Sequence, residues 1–188
     1  MKYLFFIPFS IFVFILIGCS DDAIPKPYGN LRLEYPEPNY IEFLTDCPYT
    51  FEFSDLIHKK PKDSLCAYDL YYPDIKATIY LSYQKVDSGN LIALIRDAEK
   101  SVYEPHTTKA EYIEPRLIVR PNDNVFGTLY ALGGESAMNY QFHVTDSTKN
   151  FLRGSVYFRS HPKPDSLSPA LDYLLKDVEH LMESIVWK

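Results

Sequence analysis

The sequence contains no apolar run long enough to cross a lipid bilayer as a helix. Its longest run, from Tyr3 to Ile17, is interrupted by Pro8 and Ser10, whereas a transmembrane helix needs about 20 apolar residues. Only Lys2 is charged before this run, and a small residue ends it. A short positive start, an apolar centre and a small-residue end are typical of an export signal. Residues 1–18 are therefore predicted to be a signal peptide.

The chain also lacks a long basic run. It has 19 Lys and Arg against 25 Asp and Glu, which gives a formal net charge of −6. Removal of residues 1–18 takes away Lys2 and makes this charge −7. Because nucleic acids and anionic lipid surfaces attract basic proteins, this composition argues against nucleic acid as a partner. It also argues against binding to anionic lipid through the protein surface.

Catalytic and metal-binding signatures are missing as well. The sequence has no H-E-x-x-H, no G-x-S-x-G, no phosphate-binding loop and no dinucleotide fingerprint. The nearest approach to a catalytic group is His143 with Asp146 and Ser147, but triads are recognised by geometry and not by proximity in sequence. His180 is expected on the solvated face of a helix, and His58 in a lysine-rich loop. No enzymatic activity, no cofactor and no metal site are therefore predicted.

Three cysteines are present, and the first has a distinctive context. Leu16-Ile17-Gly18-Cys19 resembles the lipobox of bacterial lipoproteins, which implies a thioether lipid on Cys19, cleavage before it and acylation of the new amino group. Such lipids anchor a protein to a bilayer without spanning it. The alternative is an ordinary signal peptide with a chance cysteine. Ser20-Asp21-Asp22 resembles the acidic export tag of surface lipoproteins in the Bacteroidota. An outer-membrane anchor is expected, with the periplasmic and surface sides both open.

The other two cysteines form an even pair in an exported chain. Cys47 and Cys66 would be in an oxidising compartment, where such pairs form disulfides. A bridge between them would close a loop of about 20 residues and contribute about 3 kcal/mol in the chain-entropy model. A redox pair and a metal site are the alternatives. A structural disulfide is the preferred interpretation because no C-x-x-C occurs.

Proline is concentrated just after the predicted cleavage site. Four prolines lie between Ser20 and Pro38, and proline-rich chain behaves as a semi-rigid spacer. Residues 19–38 are predicted to be a lipidated tether that holds the following domain near its membrane. Residues 39–188 are predicted to form one globular domain, since a chain of this length can build a substantial core.

Strand patterns dominate that domain. Apolar and polar residues alternate with a period of two in several segments, which indicates strands with one buried face. Pro115 lies within one of them and places it at the edge of a sheet or divides it. The predicted strands cover residues 40–45, 50–55, 67–73, 77–86, 111–120, 125–132, 137–145 and 151–158.

Two segments have the period of a helix instead. Leu91, Ile95, Ala98 and Val102 form an apolar stripe before Pro105. A broader stripe, which includes Leu174 and Val178, follows Pro169, and Asp177 and His180 are expected on its polar face. Because few helices separate the strands, the pairing should be antiparallel. The predicted fold is α+β, with an antiparallel sheet covered on one face by two helices.

Five stretches resemble the gliding motility lipoprotein GldD family of the Bacteroidota, nearly from end to end of the mature chain. The resemblance implies a role in the gliding machinery, which is coupled to the type IX secretion system, and implies no known reaction. The partners it implies are the lipid bilayer, through acylated Cys19, and other envelope proteins of gliding and type IX secretion. The matching stretches are PKPYGNLRLEYPE (25–37), DCPYTFEF (46–53), LSYQKV (81–86), TDSTKNFLRGSVYF (145–158) and DSLSPALDYLLKDVEHLMESIVWK (165–188).

Two classes of function are open at this point. The first is a non-enzymatic accessory lipoprotein that supports the assembly or stability of the gliding and secretion apparatus. The second is a glycan-binding module or hydrolase acting on envelope polymer, with tyrosine-rich strands as its platform. A deep polar cleft at His143 or His180 would favour the second class, and a flat tyrosine-rich patch would favour the first.

Overall fold

The period-two segments become the strands of a seven-stranded antiparallel sheet with the order β4-β5-β6-β10-β9-β8-β7. This computed structural model describes residues 35–62, 64–87, 89–106, 110–134, 138–159 and 164–188. The strands are β1 (Tyr40–Glu42), β2 (Tyr49–Thr50), β3 (Glu52–Ser54), β4 (His58–Pro61), β5 (Tyr68–Tyr72), β6 (Ala77–Lys85), β7 (Ala110–Arg120), β8 (Val125–Gly134), β9 (Met138–Thr145), β10 (Asn150–Phe158) and β11 (Val186–Trp187).

Two smaller sheets complete the β-structure. β1 pairs with β3, and β11 pairs with β2. The pairing of Val186 with Thr50 brings the C-terminal segment against β2. Trp187 adds a 3.1 Å hydrogen bond from its indole Nε1 to the carbonyl oxygen of Asn124. The C-terminal segment is therefore held by backbone and side-chain bonds.

Two helices appear where the helical period occurs. They are α1 (Leu91–His106), which contains Pro105, and α2 (Pro164–Glu183), which contains Pro169. Within the described ranges no helix is long and apolar enough to cross a membrane. The α+β class with an antiparallel sheet is thus confirmed.

The helices lie on opposite faces of the sheet, which differs from the expected arrangement on one face. Leu152 of β10 belongs to the main buried cluster with Leu174 of α2. Phe151, its neighbour in the strand, belongs to a separate buried cluster with Ala98 of α1. Because successive strand residues point to opposite faces, α1 and α2 cover different sides. We call these sides the α1 face and the α2 face.

The α2 face holds most of the core. Leu174, Val178 and Met182 are fully buried there, together with apolar residues of the central strands and of β1 to β3. Gly154 on β10 makes room for the ring of Phe142, since a Cβ at that position would lie 2.2 Å from the ring carbon Cζ. The broad stripe of α2 therefore has the packing that its pattern predicts.

Candidate functional site

The residues at the predicted lipid anchor lie outside the described part of the chain. Cys19, the signal peptide 1–18 and most of the tether 19–38 are in this group. The described tether residues begin at Tyr35, whose ring lies 5.0 Å from that of Tyr173 on α2. The lipid on Cys19 remains a prediction from the sequence.

The two later cysteines lie together. Cys47 and Cys66 form a disulfide with a Cα–Cα distance of 5.5 Å, within the usual range. Cys47 is buried, and the hydroxyl of Tyr49 donates a 2.9 Å hydrogen bond to the carbonyl oxygen of Cys66. The bridge therefore ties the segment before β2 to the segment before β5.

An open cleft borders this disulfide. Leu44, Leu65 and Tyr68 line it with both cysteines, and Asp46 and Lys188 add one charge of each sign. Leu44 is 70% exposed and Leu65 is 87% exposed. Large apolar side chains exposed in one place are a feature of contact surfaces.

The histidine that comes nearest to a catalytic residue is buried. His143 is only 5% exposed, and its ring stacks on Phe151 at 5.5 Å. Burial and, to a smaller extent, the charge of Arg153 together lower its pKa from 6.5 to about 4. Its Nδ1 has no hydrogen-bond partner among the described residues. The histidine therefore stays neutral at physiological pH.

Asp146 and Ser147, which follow His143 in the sequence, do not contribute to a catalytic group with it. The Asp146 Oδ1 atom accepts backbone hydrogen bonds from Thr148, Lys149 and Asn150 at 2.7–2.9 Å. These bonds lower the pKa of Asp146, against an opposing effect of burial. The carboxylate is thus part of a tight turn. The structure does not bring His143, Asp146 and Ser147 together as a triad.

Polar residues around His143 form a layer between α1 and the sheet. Gln141, on the same face of β9, is buried and accepts a 3.3 Å hydrogen bond from the hydroxyl of Ser101 on α1. Arg153 of β10 donates to the same hydroxyl. The sequence predicts this face of β9 to be polar but cannot show that a helix covers it.

His180 makes contacts at the surface of the domain. His180 stacks on Tyr40 at 3.6 Å, and its Nε2 lies 2.8 Å from the carboxylate of Glu52. Its neighbour Glu179 pairs with Arg116 at 3.3 Å. His58 is exposed on β4. Among the described residues there is no group of three or more His, Cys, Asp or Glu that could hold a metal ion.

Asp177 is buried, although the helical pattern places it on the polar face of α2. It is 4% exposed, and it accepts hydrogen bonds from the hydroxyls of Tyr40 at 2.7 Å and Tyr72 at 2.9 Å. Burial raises the pKa of Asp177, and the two tyrosine bonds oppose this rise. Its partners lie on β1 and β5, so the carboxylate joins three elements.

One exposed edge of the sheet is β7. Pro115 predicts an edge strand or a divided one, and the sheet order shows that β7 is an edge strand. Because proline has no N–H, the ladder bonds to β8 must avoid Pro115, which pairs opposite Tyr130. The register is regular from Ile113 to Arg120. Positions along an antiparallel strand alternate between those that bond the neighbouring strand and those that do not. Leu117 and Val119 are therefore non-bonded positions like Pro115, and their N–H and C=O groups point away from β8.

The side chains at this edge are also exposed. Leu117 is 78% and Val119 is 57% exposed. The opposite edge of the sheet, β4, is short and has the sequence HKKP, and lysine and proline are residues that protect edges from pairing. β7 has 11 residues. It also contains Pro115 and charged side chains, but its second half exposes Leu117 and Val119. An edge with apolar side chains, and with outward backbone groups that have no partner among the described residues, can accept another strand.

Comparison with known families gives the context for these surfaces. The model of the family described as gliding motility lipoprotein GldD matches residues 20–187. No curated protein matches the chain. The family match begins one residue after Cys19 and extends through the disulfide, both helices and the β7 edge. The chain belongs to the gliding motility lipoprotein GldD family.

Proposed function

We propose that the protein is a lipid-anchored, non-enzymatic accessory component that supports the assembly or stability of the gliding and type IX secretion machinery. The family match over residues 20–187 carries this proposal. Cys19 attaches the chain to the bilayer, and the folded domain acts close to that membrane. An outer-membrane location is part of the proposal.

The β7 edge is the proposed contact with the machinery. Its occupant is an extended segment of another envelope protein, paired with the outward backbone groups of Leu117 and Val119. Pro115 offers no donor at this edge, so the added strand pairs with the second half of β7. The free backbone groups support a strand as the partner, because only a strand can satisfy several of them in a row.

Gene deletion and replacement test this function. Deletion should abolish colony spreading and reduce the secretion of type IX cargo, and Cys19→Ala should release the protein from membranes and reproduce the loss of spreading. Wild-type cells should incorporate a palmitate analogue into the protein. Normal spreading and secretion in the deletion strain would contradict the proposed role. A wild-type protein that takes up no label would contradict the anchor.

The edge contact has its own matched pair of variants. Leu117→Lys puts a lysine on the edge strand, which disfavours the addition of another strand, whereas Ile92→Lys makes the same change at a 70% exposed residue of α1. At equal protein levels, Leu117→Lys should reduce spreading and Ile92→Lys should not. Wild-type spreading in both strains would contradict the contact. A purified dimer that Leu117→Lys converts to a monomer would show that the occupant is a second copy of the chain.

A further inference from the structure

A second open surface lies on the α1 face, on the half of the sheet that α1 leaves uncovered. Cross-strand partners share a face, and Phe151 fixes the α1 face of β10. Tyr157 is on this face, and the register adds the residues of β6 and β5 that lie beside it. Three half-buried tyrosines result: Tyr71, Tyr80 and Tyr157.

Cationic side chains surround these rings. The Lys62 ammonium lies 4.8 Å from the ring centre of Tyr80, and the Arg159 guanidinium lies 5.4 Å from that of Tyr71. Two more cations, Lys60 and Arg153, occupy the same face. We call the three tyrosines and four cations together the tyrosine–cation surface.

Negative charge is scarce at this surface. Asp69 is the one carboxylate among the described residues of these strands on this face, and it lies 2.9 Å from Lys62. Asp97, at the border on α1, interacts electrostatically with Arg153. Among the described residues, the four cations therefore outnumber Asp69 and Asp97, although the whole chain has a net charge of −6. A local positive surface on an acidic protein attracts anionic ligands.

The centre of the surface is a hydroxyl-rich depression of about 300 Å³, the lower limit of small-molecule sites. Its walls include Lys62, Ser64, Tyr80, Ser82, Arg153 and Ser155. Serine hydroxyls both donate and accept hydrogen bonds, which matches the hydroxyls of a sugar. A tyrosine ring offers a flat apolar face with a polar tip, and cations pair with carboxylate or phosphate groups.

We infer that the tyrosine–cation surface binds an anionic polysaccharide of the cell envelope. An acidic peptide fits less well, because β5, β6 and β10 are paired on both sides and the outer strand β4 is short and contains lysine and proline, which disfavour strand addition. The ring of Tyr80 and the serines around it instead suit a pyranose ring that carries a negative charge. This inference goes beyond the accessory role proposed above and does not depend on it.

Binding of defined oligomers to the full-length protein in detergent tests the inference. The probes are fluorescently labelled hexagalacturonate, neutral maltohexaose and hexaglutamate, measured by anisotropy. Hexagalacturonate should bind at least tenfold more tightly than either of the other two, and its affinity should fall as salt rises. Equal or tighter binding of hexaglutamate would overturn the inference in favour of an acidic peptide. No binding of hexagalacturonate would overturn it as well.

Matched variants locate the site. Lys60→Gln with Lys62→Gln should weaken hexagalacturonate about three- to tenfold, whereas Lys100→Gln with Lys176→Gln removes the same charge elsewhere and should leave the affinity unchanged. Tyr80→Ala should weaken binding and Tyr80→Phe should retain it, since phenylalanine keeps the ring. Melting temperatures like that of the wild type control for folding. Equal losses in both lysine pairs, or full affinity in Tyr80→Ala, would overturn the assignment.

Discussion

The hydroxyl of Tyr72 donates a 2.9 Å hydrogen bond to the carboxylate of Asp177, which lies 105 residues further along the chain. Tyr72 is on a strand of the seven-stranded sheet, and Asp177 is on the helix that covers the main core. A second bond, from Tyr40, completes the pairing of the carboxylate. The buried carboxylate therefore holds α2 in one position on the sheet.

Removal of the Tyr72 hydroxyl should destabilise the domain. Tyr72→Phe leaves one oxygen of the buried carboxylate without its donor, and such a loss costs about 1–3 kcal/mol. Urea unfolding at pH 7 would measure the change. Tyr71→Phe, at the half-exposed neighbour, is the control and should alter stability by less than about 0.5 kcal/mol. Equal stability of both variants would contradict a structural role for the bond.

The raised pKa of Asp177 makes its contribution depend on pH. A carboxyl whose pKa is higher in the folded chain favours folding at low pH, and this contribution is lost as pH rises through the folded-state pKa. The side chain in Asp177→Asn cannot ionise. The unfolding free energy of the wild type should therefore exceed that of Asp177→Asn by a smaller amount at pH 7 than at pH 4. Asp172→Asn, the same substitution at an exposed position of α2, is the control. A difference that is the same at both pH values would contradict the raised pKa.

His143 should produce the opposite trend. Its pKa falls from 6.5 to about 4 on folding. Its contribution to the unfolding free energy is therefore complete above pH 6.5 and is lost as pH falls toward 4. The loss is about 3 kcal/mol over this interval. His143→Gln should remove this part of the acid sensitivity, while His58→Gln, on the exposed β4 edge, should retain it. Identical pH profiles for wild type and His143→Gln would contradict a buried, neutral histidine.

The disulfide should be present in the exported protein. Mass spectrometry under non-reducing conditions should find Cys47 joined to Cys66, and two thiols open to alkylation would contradict the bridge. The double variant Cys47→Ala with Cys66→Ala should lose about 3 kcal/mol of unfolding free energy. Reduction of the wild-type protein should give a similar loss, which serves as the control for packing effects of the substitutions.

The centre of α2 should be sensitive to truncation. Leu174 is fully buried, so Leu174→Ala should cost about 2–5 kcal/mol, a large share of the stability of a marginal domain. Cells should then contain less protein and spread less. Lys176→Gln, at an exposed position two residues away, should leave the melting temperature unchanged. An unchanged melting temperature for Leu174→Ala would show that the α2 stripe is exposed to a partner.

The local sequence pattern was sufficient to predict the main strands and both helices of this fold. Alternation along 77–86 and 137–145 predicted β6 and β9, and the stripe around Leu174 predicted the buried side of α2, because backbone geometry alone decides which residues share a face. Pro115 limited the strand around it to an edge position or a division, because proline has no N–H to donate to a neighbouring strand. The even count of cysteines suggested the pair that the structure joins.

Only tertiary structure decided what covers each face. Asp177 and His143 stand at polar positions of their elements, yet β1 and β5 enclose the first and α1 encloses the second. The sequence also placed both helices on one side, because an amphipathic stripe shows that a helix packs against something and not which face of the sheet it meets. The tyrosine–cation surface also depends on tertiary structure. Antiparallel pairing brings β4, β5, β6 and β10 side by side, and α1 covers only part of the face that they form.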